Sequence, residues 1–228
     1  MRPKVLVSWS TGKDSAWMLH LLRRRDDLEL AGLLTTVNET FGRVAMHAVR
    51  RELLAAQADA AGLPLVEIPL PWPCSNDAYE RRMSAAVDAA RAGGVTHVAF
   101  GDLFLEDVRA YRERQMAGTS LTPLFPLWGL DTARLAREMI ASGLRARLTT
   151  VDPRHLPASF AGREFDASLV DELPAGVDPC GERGEFHSFC YDGPMFRHAI
   201  RIAPGEVVER DGFVFADLTR CTRAASSA

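Results

Sequence analysis

Lysine is nearly absent from this sequence of 228 residues, which has 27 lysines and arginines but only two lysines, Lys4 and Lys13. Cysteine is also rare. Four scattered cysteines argue against a disulfide framework and favour a reducing compartment. No apolar run approaches the roughly 18 residues of a membrane span, and no signal-peptide pattern opens the chain. We therefore expect a cytoplasmic protein without a membrane partner.

Three other features that would indicate a ligand are missing: excess positive charge, a Walker loop and a dinucleotide fingerprint. The formal net charge is −3 at pH 7, whereas a tight nucleic-acid binder needs a basic surface. The Walker pattern requires a glycine and a hydroxyl residue where this chain has Val7 and Asp14. Dinucleotide fingerprints require three glycines, and only Gly12 is present. Nucleic acid is therefore not an expected partner, and neither phosphate loop applies.

What the chain does have is a polar segment, Ser-Trp-Ser-Thr-Gly-Lys-Asp-Ser, at residues 8–15. An apolar run at 5–7 precedes it, and a helix is predicted at 16–25. A buried strand, a loop of small residues and a helix start leave backbone N–H groups beside the positive end of the helix dipole. We expect this loop to bind phosphate. In a composition that avoids lysine, the compact ammonium of Lys13 favours a binding site over the alternative, an ordinary turn with an exposed cation.

Predicted strands and helices alternate through the first half of the chain. Strands at 28–37, 65–68 and 95–100 are separated by helices at 46–61 and 76–92, which indicates a parallel α/β sheet. A helix at 105–116 follows. Ligands of such sheets gather at the carboxyl ends of strands. The polar residues near these ends are candidate nucleotide contacts: Thr35, His47, and Gly101 with Asp102. The alternatives are a polar strand exit for Thr35, a surface histidine for His47 and a helix N-cap for Asp102.

The second half of the chain has a different organisation. Residues 121–128 contain two prolines and are interpreted as an apolar linker, so we predict domains at 1–125 and 126–228. Beyond the linker, the sequence predicts a helix at 131–142, a strand at 144–151 and a short helix within 160–173. From residue 185 the pattern is that of antiparallel strands, with Asp211-Gly212 as a hairpin turn. The second domain is therefore predicted to be α+β.

A second polar cluster lies at residues 178–187, where Glu182, Glu185 and His187 stand among glycines. Such a group can bind an amine, move a proton or help to hold Mg²⁺. A surface loop is the alternative reading. Cys180 and Cys190 raise two others, a zinc site with His187 and a cysteine nucleophile. The spacing matches no usual zinc pattern, and no evident cation lowers the pKa of Cys180.

With both clusters in view, the chain resembles the diphthine–ammonia ligase family, the N-type ATP pyrophosphatases of the PP-loop superfamily. The loop at residues 10–15 matches Ser-Gly-Gly-Lys-Asp-Ser, except that Thr11 replaces the first glycine. Residues 180–182 and 184–187 match a family-specific pattern. The resemblance implies a HUP-like, Rossmann-like adenine-nucleotide-binding domain, followed by a smaller α+β domain that closes over the substrate. It also implies ATP and Mg²⁺ as cofactors, with ammonia and a carboxylate-bearing acceptor as partners; a homodimer is left open.

The expected activity is adenylation of the acceptor carboxylate, with release of pyrophosphate, followed by amidation with ammonia. We expect Asp14 and Asp102 to lie near the metal. The sequence leaves two other functions open, a non-catalytic module that binds ATP or AMP and a PP-loop enzyme that modifies tRNA. The predicted catalytic residues are Lys13, Glu182, Glu185 and His187, and the predicted nucleotide contacts are Ser10, Thr11, Gly12, Lys13, Asp14, Ser15, Thr35, His47, Gly101 and Asp102.

Overall fold

The first half of the chain forms a mostly parallel sheet, as predicted. The computed structural model describes residues 2–44 and 49–221. The strands of this sheet are β1 (Lys4–Ser8), β2 (Glu29–Asn38), β3 (Arg43–Val44), β4 (Leu65–Leu70), β5 (His97–Ala99) and β6 (Thr122–Leu124). Its parallel strands lie in the order β4-β2-β1-β5-β6, and the short β3 runs antiparallel to the end of β2.

This strand order places a crevice at the ends of β1 and β5. From β1 the chain continues outward through β2 and β4, and then returns to the other side of β1 to form β5 and β6. At such a reversal the connections leave the sheet in opposite directions, which opens a ligand site. The helices of this half are α1 (Lys13–Arg23), α2 (Arg51–Ala61), α3 (Asn76–Ala92) and α4 (Glu106–Met116).

Local sequence accounts for some of the element boundaries. The Ser75 hydroxyl accepts a hydrogen bond from the Ala78 N–H at 3.2 Å and so caps α3, as predicted.

The described part of the second helix begins only at Arg51. Met46 and His47, where that helix was predicted to begin and to contact the nucleotide, lie outside the described residues.

The interpretation of residues 121–128 as a linker is wrong in part, because Thr122–Leu124 forms the edge strand β6. It pairs with β5 alone. Proline has no N–H to donate, and an edge strand tolerates Pro123 because only one of its sides is paired. The domain boundary after residue 125 falls between β6 and the next helix and stays a prediction.

The second half of the chain forms a smaller antiparallel sheet. Its elements are α5 (Thr132–Ala141), β7 (Arg145–Val151), α6 (Ala167–Asp171), β8 (Phe186–Asp192), β9 (Ile202–Arg210) and β10 (Phe213–Arg220), with the strands in the order β8-β7-β10-β9. Asp211 and Gly212 have φ angles of 53° and 79°, which confirms the predicted hairpin turn between β9 and β10. Asp131 caps α5 by accepting a hydrogen bond from the Arg134 N–H at 2.7 Å.

Helix α1 joins the two sheets through a shared hydrophobic core. Its buried Trp17 and Leu19 belong to the same cluster as Phe186 and Phe189 of β8. The second sheet therefore covers the start of α1, which places residues 178–188 next to the predicted phosphate loop. Over the described residues, every helix is too short or too polar to span a bilayer.

Candidate functional site

The predicted phosphate loop has a strained backbone at Thr11. Its φ angle is +72°, in the left-handed region that β-branched residues rarely adopt, and its side chain is completely buried. The Thr11 hydroxyl has no hydrogen-bond partner among the described residues. Glycine adopts this conformation at no steric cost. The geometry therefore explains why the pattern that this loop resembles has glycine here, and shows that this chain carries strain at the site.

The first turn of α1 directs its backbone amides toward the loop. The Lys13 N–H donates to Ser188 Oγ at 3.2 Å. The amides of Asp14 and Ser15 lie in the first turn, where a helix supplies no internal acceptor. Gly101 packs against this turn, since a methyl group there would lie 3.5 Å from the Ser15 nitrogen. The carboxyl end of β5 thus meets the helix N-terminus, as the sheet order predicts.

Lys13 is a buried ammonium that connects the two halves of the site. Its side chain is 2% exposed, and Nζ lies 2.9 Å from Asp14 Oδ2 and contacts the Cys180 carbonyl. The rings of Phe165 and Phe186 lie 5.4 and 5.3 Å from the same atom. Burial alone would lower the pKa of Lys13, but the Asp14 carboxylate raises it, so the ammonium stays charged. Its predicted contact with phosphate stays a prediction.

Gln57 of α2 is a site residue that the sequence interpretation missed. It is completely buried, and its Oε1 accepts a hydrogen bond from Trp9 Nε1 at 2.8 Å. Its Nε2 donates to the carbonyl oxygens of Thr11, at 2.9 Å, and Cys190, at 2.6 Å. Gln57 lies four residues from both Leu53 and Ala61, on a buried face of α2. The signal that the sequence offered for this role was a single amide side chain on an otherwise apolar face of the predicted helix.

Two buried carboxylates shape the second polar cluster. Asp178 Oδ2 accepts the N–H groups of Cys180 and Glu182 at 3.1 and 3.0 Å. Glu185 accepts the N–H of Asp178 through Oε1 at 3.0 Å and that of Arg183 through Oε2 at 2.9 Å. The carboxylate of Glu185 is therefore engaged with its own loop, and Glu185 does not line the cavity described next.

A polar cavity of about 220 Å³ lies between the phosphate loop and the second cluster. Elements from both halves of the chain line it. Of the predicted site residues, the structure brings together Ser10, Gly12, Lys13, Asp14, Ser15, Gly101, Asp102, Glu182 and His187, whereas Thr11 and Glu185 lie behind the wall. The sequence interpretation placed these residues in two separate clusters, and only the fold joins them.

The cavity carries an excess of carboxylates. Burial, together with the charges of Asp14 and Asp102, raises the pKa of Glu182 to about 7. Burial also raises the pKa of Asp14 and that of Asp102, against the lowering effect of Lys13 and Arg112 respectively. Glu182 Oε1 accepts the Leu103 N–H at 2.7 Å. Carboxylates that disfavour each other's charge fit a site that receives a cation.

A metal ion bound in this cavity would need ligands from the substrate in addition to those from the protein. Within residues 2–44 and 49–221, no group of three or more His, Cys, Asp or Glu side chains is arranged to hold a metal ion. Asp102 Oδ2 is buried without a hydrogen-bond partner among those residues. Mg²⁺ is usually held by one or two carboxylates together with phosphate oxygens and water. The donor set fits Mg²⁺ that arrives with a nucleotide.

The imidazole and the two thiols of the cluster are neutral at pH 7. Burial, together with the nearby Lys13 charge, lowers the pKa of His187 to about 4. Burial raises the pKa of Cys180 and that of Cys190. Their thiols lie 3.5 Å from the carbonyl oxygens of Thr132 and Asp192. Both shifts disfavour the thiolate, which is the form that a cysteine nucleophile requires.

A second cavity, of about 390 Å³, adjoins the polar one. Its walls are mostly apolar, from β1, β2, β4, α3 and α4. Thr35 lines this cavity and not the polar one, and Thr36 and Tyr79 add further hydroxyl groups. The residues that line both cavities are Ser8, Ser10, Phe100 and Arg112. The site is therefore a two-part space, apolar on one side and polar on the other.

Comparison with known proteins identifies the family. A profile described as the diphthamide synthase N-terminal domain matches residues 3–117, and one described as the C-terminal domain matches residues 131–222. Diphthine–ammonia ligase of Danio rerio is 33% identical over 175 residues, which cover 70% of this chain and 68% of the relative.

Two further relatives carry the same name. Diphthine–ammonia ligase of Bos taurus is 28% identical over 237 residues, covering 95% of this chain and 88% of the relative. The Homo sapiens protein is 32% identical over 127 residues, about half of each chain. Both halves of the chain and most of its length are matched. The chain belongs to the diphthine–ammonia ligase family.

Proposed function

We propose that this protein is an ATP-dependent ligase that adenylates an acceptor carboxylate and then amidates it with ammonia. One observation carries the proposal. The loop at residues 10–15 and the cluster at residues 180–188 enclose one polar cavity, beside an apolar cavity at the same edge of the sheet. ATP has the same division, with an apolar base at one end and a polyphosphate at the other.

The first step uses the two cavities together. The adenosine occupies the apolar cavity, where Thr35 hydrogen-bonds it, and the polyphosphate meets the amides of Asp14 and Ser15 at the start of α1. The helix N-terminus and these N–H groups stabilise the charge on the leaving pyrophosphate. Ser10 and Ser15, whose hydroxyl oxygens lie 3.2 Å apart, complete the contacts. His47, which lies outside the described residues, stays a predicted nucleotide contact.

Asp14 and Asp102 would hold Mg²⁺ when the nucleotide is bound. The ion would neutralise phosphate charge, which the carboxylates of the cavity otherwise repel. Lys13 adds a positioning task to its predicted contact with the phosphates. Its ammonium balances the charge of Asp14 and holds the loop at residues 178–185 against α1. From that position its positive charge attracts the phosphates.

The second step needs a base, and Glu182 is the best placed group. When the ammonia nitrogen attacks the acyl-adenylate, AMP leaves with the bonding electron pair and the nitrogen gives up a proton. A carboxylate whose pKa is about 7 accepts a proton at neutral pH and releases it again. His187 is the weaker candidate because its pKa is about 4, so we assign it to hydrogen bonding within the cavity. Glu185 is proposed as a positioning residue.

The relatives' name supplies the acceptor. They are diphthine–ammonia ligases, so we propose a diphthine carboxylate as the acceptor of this chain. A homodimer remains a prediction, which sedimentation of the purified chain tests.

The test is to incubate the purified full chain with ATP, Mg²⁺, ammonium and a diphthine-bearing protein, and to identify the products. We expect AMP and pyrophosphate in equal amounts, with one amide per AMP, and none without the acceptor. Glu182→Gln should bind ATP and lose the amide product. ATP binding without AMP under every acceptor would favour the non-catalytic module. Binding of tRNA at physiological salt would favour the tRNA-modifying enzyme.

A further inference from the structure

The two cavities share one wall, and that wall carries a cation. Arg112 lines both cavities, as do Ser8, Ser10 and Phe100. Across the described residues, no other Lys or Arg lines both. If ATP spans the two cavities, as proposed above, the phosphate that joins the nucleoside to the pyrophosphate group must lie next to this wall. That phosphate is the α-phosphate, whose phosphorus is attacked in the adenylation step.

Arg112 has hydrogen-bonding capacity that the protein leaves unused. Its Nε lies 3.6 Å from Asp102 Oδ2, which makes an ion pair but is too long for a hydrogen bond. Both atoms are buried and have no hydrogen-bond partner among the described residues. The guanidinium carbon lies 5.1 Å from the centre of the Phe100 ring, which supports the group from one side. A buried donor without an acceptor is costly, so a ligand oxygen is the expected partner.

The other two arginines of α4 are engaged elsewhere. Arg109 Nε donates to Glu113 Oε1 at 2.8 Å, and its guanidinium stacks on Phe125 and Trp128 at 4.8 and 4.7 Å. Arg114 lines a separate surface cavity between α3 and α4. Of the three arginines on this helix, the fold thus brings Arg112 alone to the shared wall.

We propose that Arg112 is a catalytic residue that binds the non-bridging oxygens of the α-phosphate, an inference that rests on the proposed function. During adenylation, a carboxylate oxygen of the acceptor bonds to the α-phosphorus. The bond from that phosphorus to the bridging oxygen breaks, and pyrophosphate leaves with the electron pair. Negative charge grows on the non-bridging oxygens in between. A planar guanidinium donates two parallel hydrogen bonds to such oxygens, which an ammonium does not match.

The binding test compares adenosine with AMP by calorimetry on the full chain. These ligands differ only in the α-phosphate. We expect Arg112→Gln to weaken AMP binding by about tenfold or more, the effect of losing a charge-assisted hydrogen bond, while adenosine binding is unchanged. Unchanged adenosine binding also shows that the variant is folded. Arg109→Gln is the matched control on the same helix and should bind both ligands like the wild type.

The kinetic test measures AMP formation with ATP and the acceptor. Arg112→Gln should slow it by about 10²- to 10³-fold, as removal of a transition-state donor does. Arg112→Lys keeps the charge but cannot donate two parallel hydrogen bonds. Its rate of AMP formation should lie between that of Arg112→Gln and that of the wild type.

Two outcomes overturn the inference. One is a wild-type affinity of Arg112→Gln for AMP. The other is an equal loss of adenosine and AMP binding, which indicates a structural role. The proposed function fails separately, because its failure is seen in the wild-type chain, which would form no AMP or no amide. Wild-type AMP formation together with an unimpaired Arg112→Gln variant would leave the ligase proposal intact and remove Arg112 from it.

Discussion

Single residues at this site hold conformations and charge states that ordinary surroundings would not favour. Thr11 adopts a left-handed backbone with a buried hydroxyl, and Glu182 is a carboxyl group whose pKa lies near neutrality. Both features cost stability in isolation. Both lie at or next to the cavity where the two halves of the chain meet, which is where a ligand would repay that cost.

The charge of Glu182 predicts a pH-dependent stability. Its pKa is about 7 in the folded chain against an ordinary 4.5. Because the folded-state pKa is raised, the stabilising contribution of the protonated form is full below pH 4.5 and is lost as the pH rises through 7. Glu182→Gln should escape this loss. Relative to the wild type, its free energy of unfolding should rise by up to about 3 kcal/mol between pH 4 and pH 8. Urea unfolding at several pH values measures the difference, and a constant difference would contradict a raised pKa.

Thr11→Gly should stabilise the chain, because it removes the left-handed strain and the unpaired hydroxyl. Against this, glycine loses more backbone entropy on folding. We expect a net gain of about 1 kcal/mol in the free energy of unfolding. Ser120, which is exposed and has a φ angle of 62°, offers a control. Ser120→Gly relieves no β-branched strain and should gain less. A larger gain at residue 120 than at residue 11 would mean that strain at Thr11 is not significant.

At the scale of elements, the site depends on the contacts between α1, α2 and β8. Gln57 on α2 bonds to the phosphate loop at Thr11 and to β8 at Cys190. Gly12 lies against β8, since a methyl group there would come within 3.3 Å of the Ser188 carbonyl oxygen. The loop geometry is therefore set by three elements that are distant in sequence.

Gln57→Leu should leave an indole N–H and two carbonyl groups without the partner that they have now. We expect a loss of about 3 kcal/mol in the free energy of unfolding, since unpaired buried groups cost about 1–3 kcal/mol each. ATP affinity should fall as well, because the Thr11 carbonyl, which also accepts the Cys190 N–H at 2.9 Å, is held less firmly without Gln57. Gln115→Leu, a partly exposed glutamine on α4, is the control and should lose far less. Equal losses would show that the Gln57 hydrogen bonds contribute little.

Glu185→Gln tests whether that residue positions the loop or acts as the base. A glutamine keeps one acceptor oxygen but turns an NH₂ group toward a backbone donor. We expect a stability loss of about 1–2 kcal/mol and reduced turnover, with ATP binding kept. The remaining turnover should still rise through pH 7, because Glu182 is the base. Disappearance of that inflection in Glu185→Gln would make Glu185 the base instead.

At the scale of the whole molecule, an ion-pair group fastens the second sheet to the first half of the chain. Asp217 belongs to β10; its Oδ1 lies 2.9 Å from Arg43 Nη1, and its Oδ2 lies 3.1 Å from Arg50 Nε. Burial alone would raise the pKa of Asp217, but the two guanidinium groups lower it. The group links β3 and the residue before α2 to β10, where it limits how far the two sheets can separate.

Asp217→Asn should therefore loosen the attachment between the two sheets. We expect a loss of about 1 kcal/mol in the free energy of unfolding at low salt, shrinking at high salt because these side chains are partly exposed. Asp27→Asn breaks an exposed pair with Arg25 and is the control, with a smaller effect. A loss at Asp217 that does not change with salt would point to packing rather than charge.

Much of the fold was predictable, because it depends on patterns that are local in the sequence. Apolar runs, caps such as Ser75 and Asp131, and the Asp211-Gly212 turn each determine their own element. The failures also have physical reasons. The β6 strand was missed because prolines normally interrupt a sheet, and only its edge position makes Pro123 acceptable. The two-residue β3 has too short a pattern to detect.

The candidate site divides in the same way. The sequence alone determined the alternation of the main strands and helices and the polar turn after the first strand, because backbone conformation follows from neighbouring residues; that this turn binds an anion stays a prediction. Only the tertiary structure decided that Glu182 lines the cavity while Glu185 holds its own loop, that Gln57 bonds to Thr11, and that Arg112 lies at the shared wall. The direction of a side chain in a loop, and the partner that a buried polar group finds, depend on residues far away in sequence.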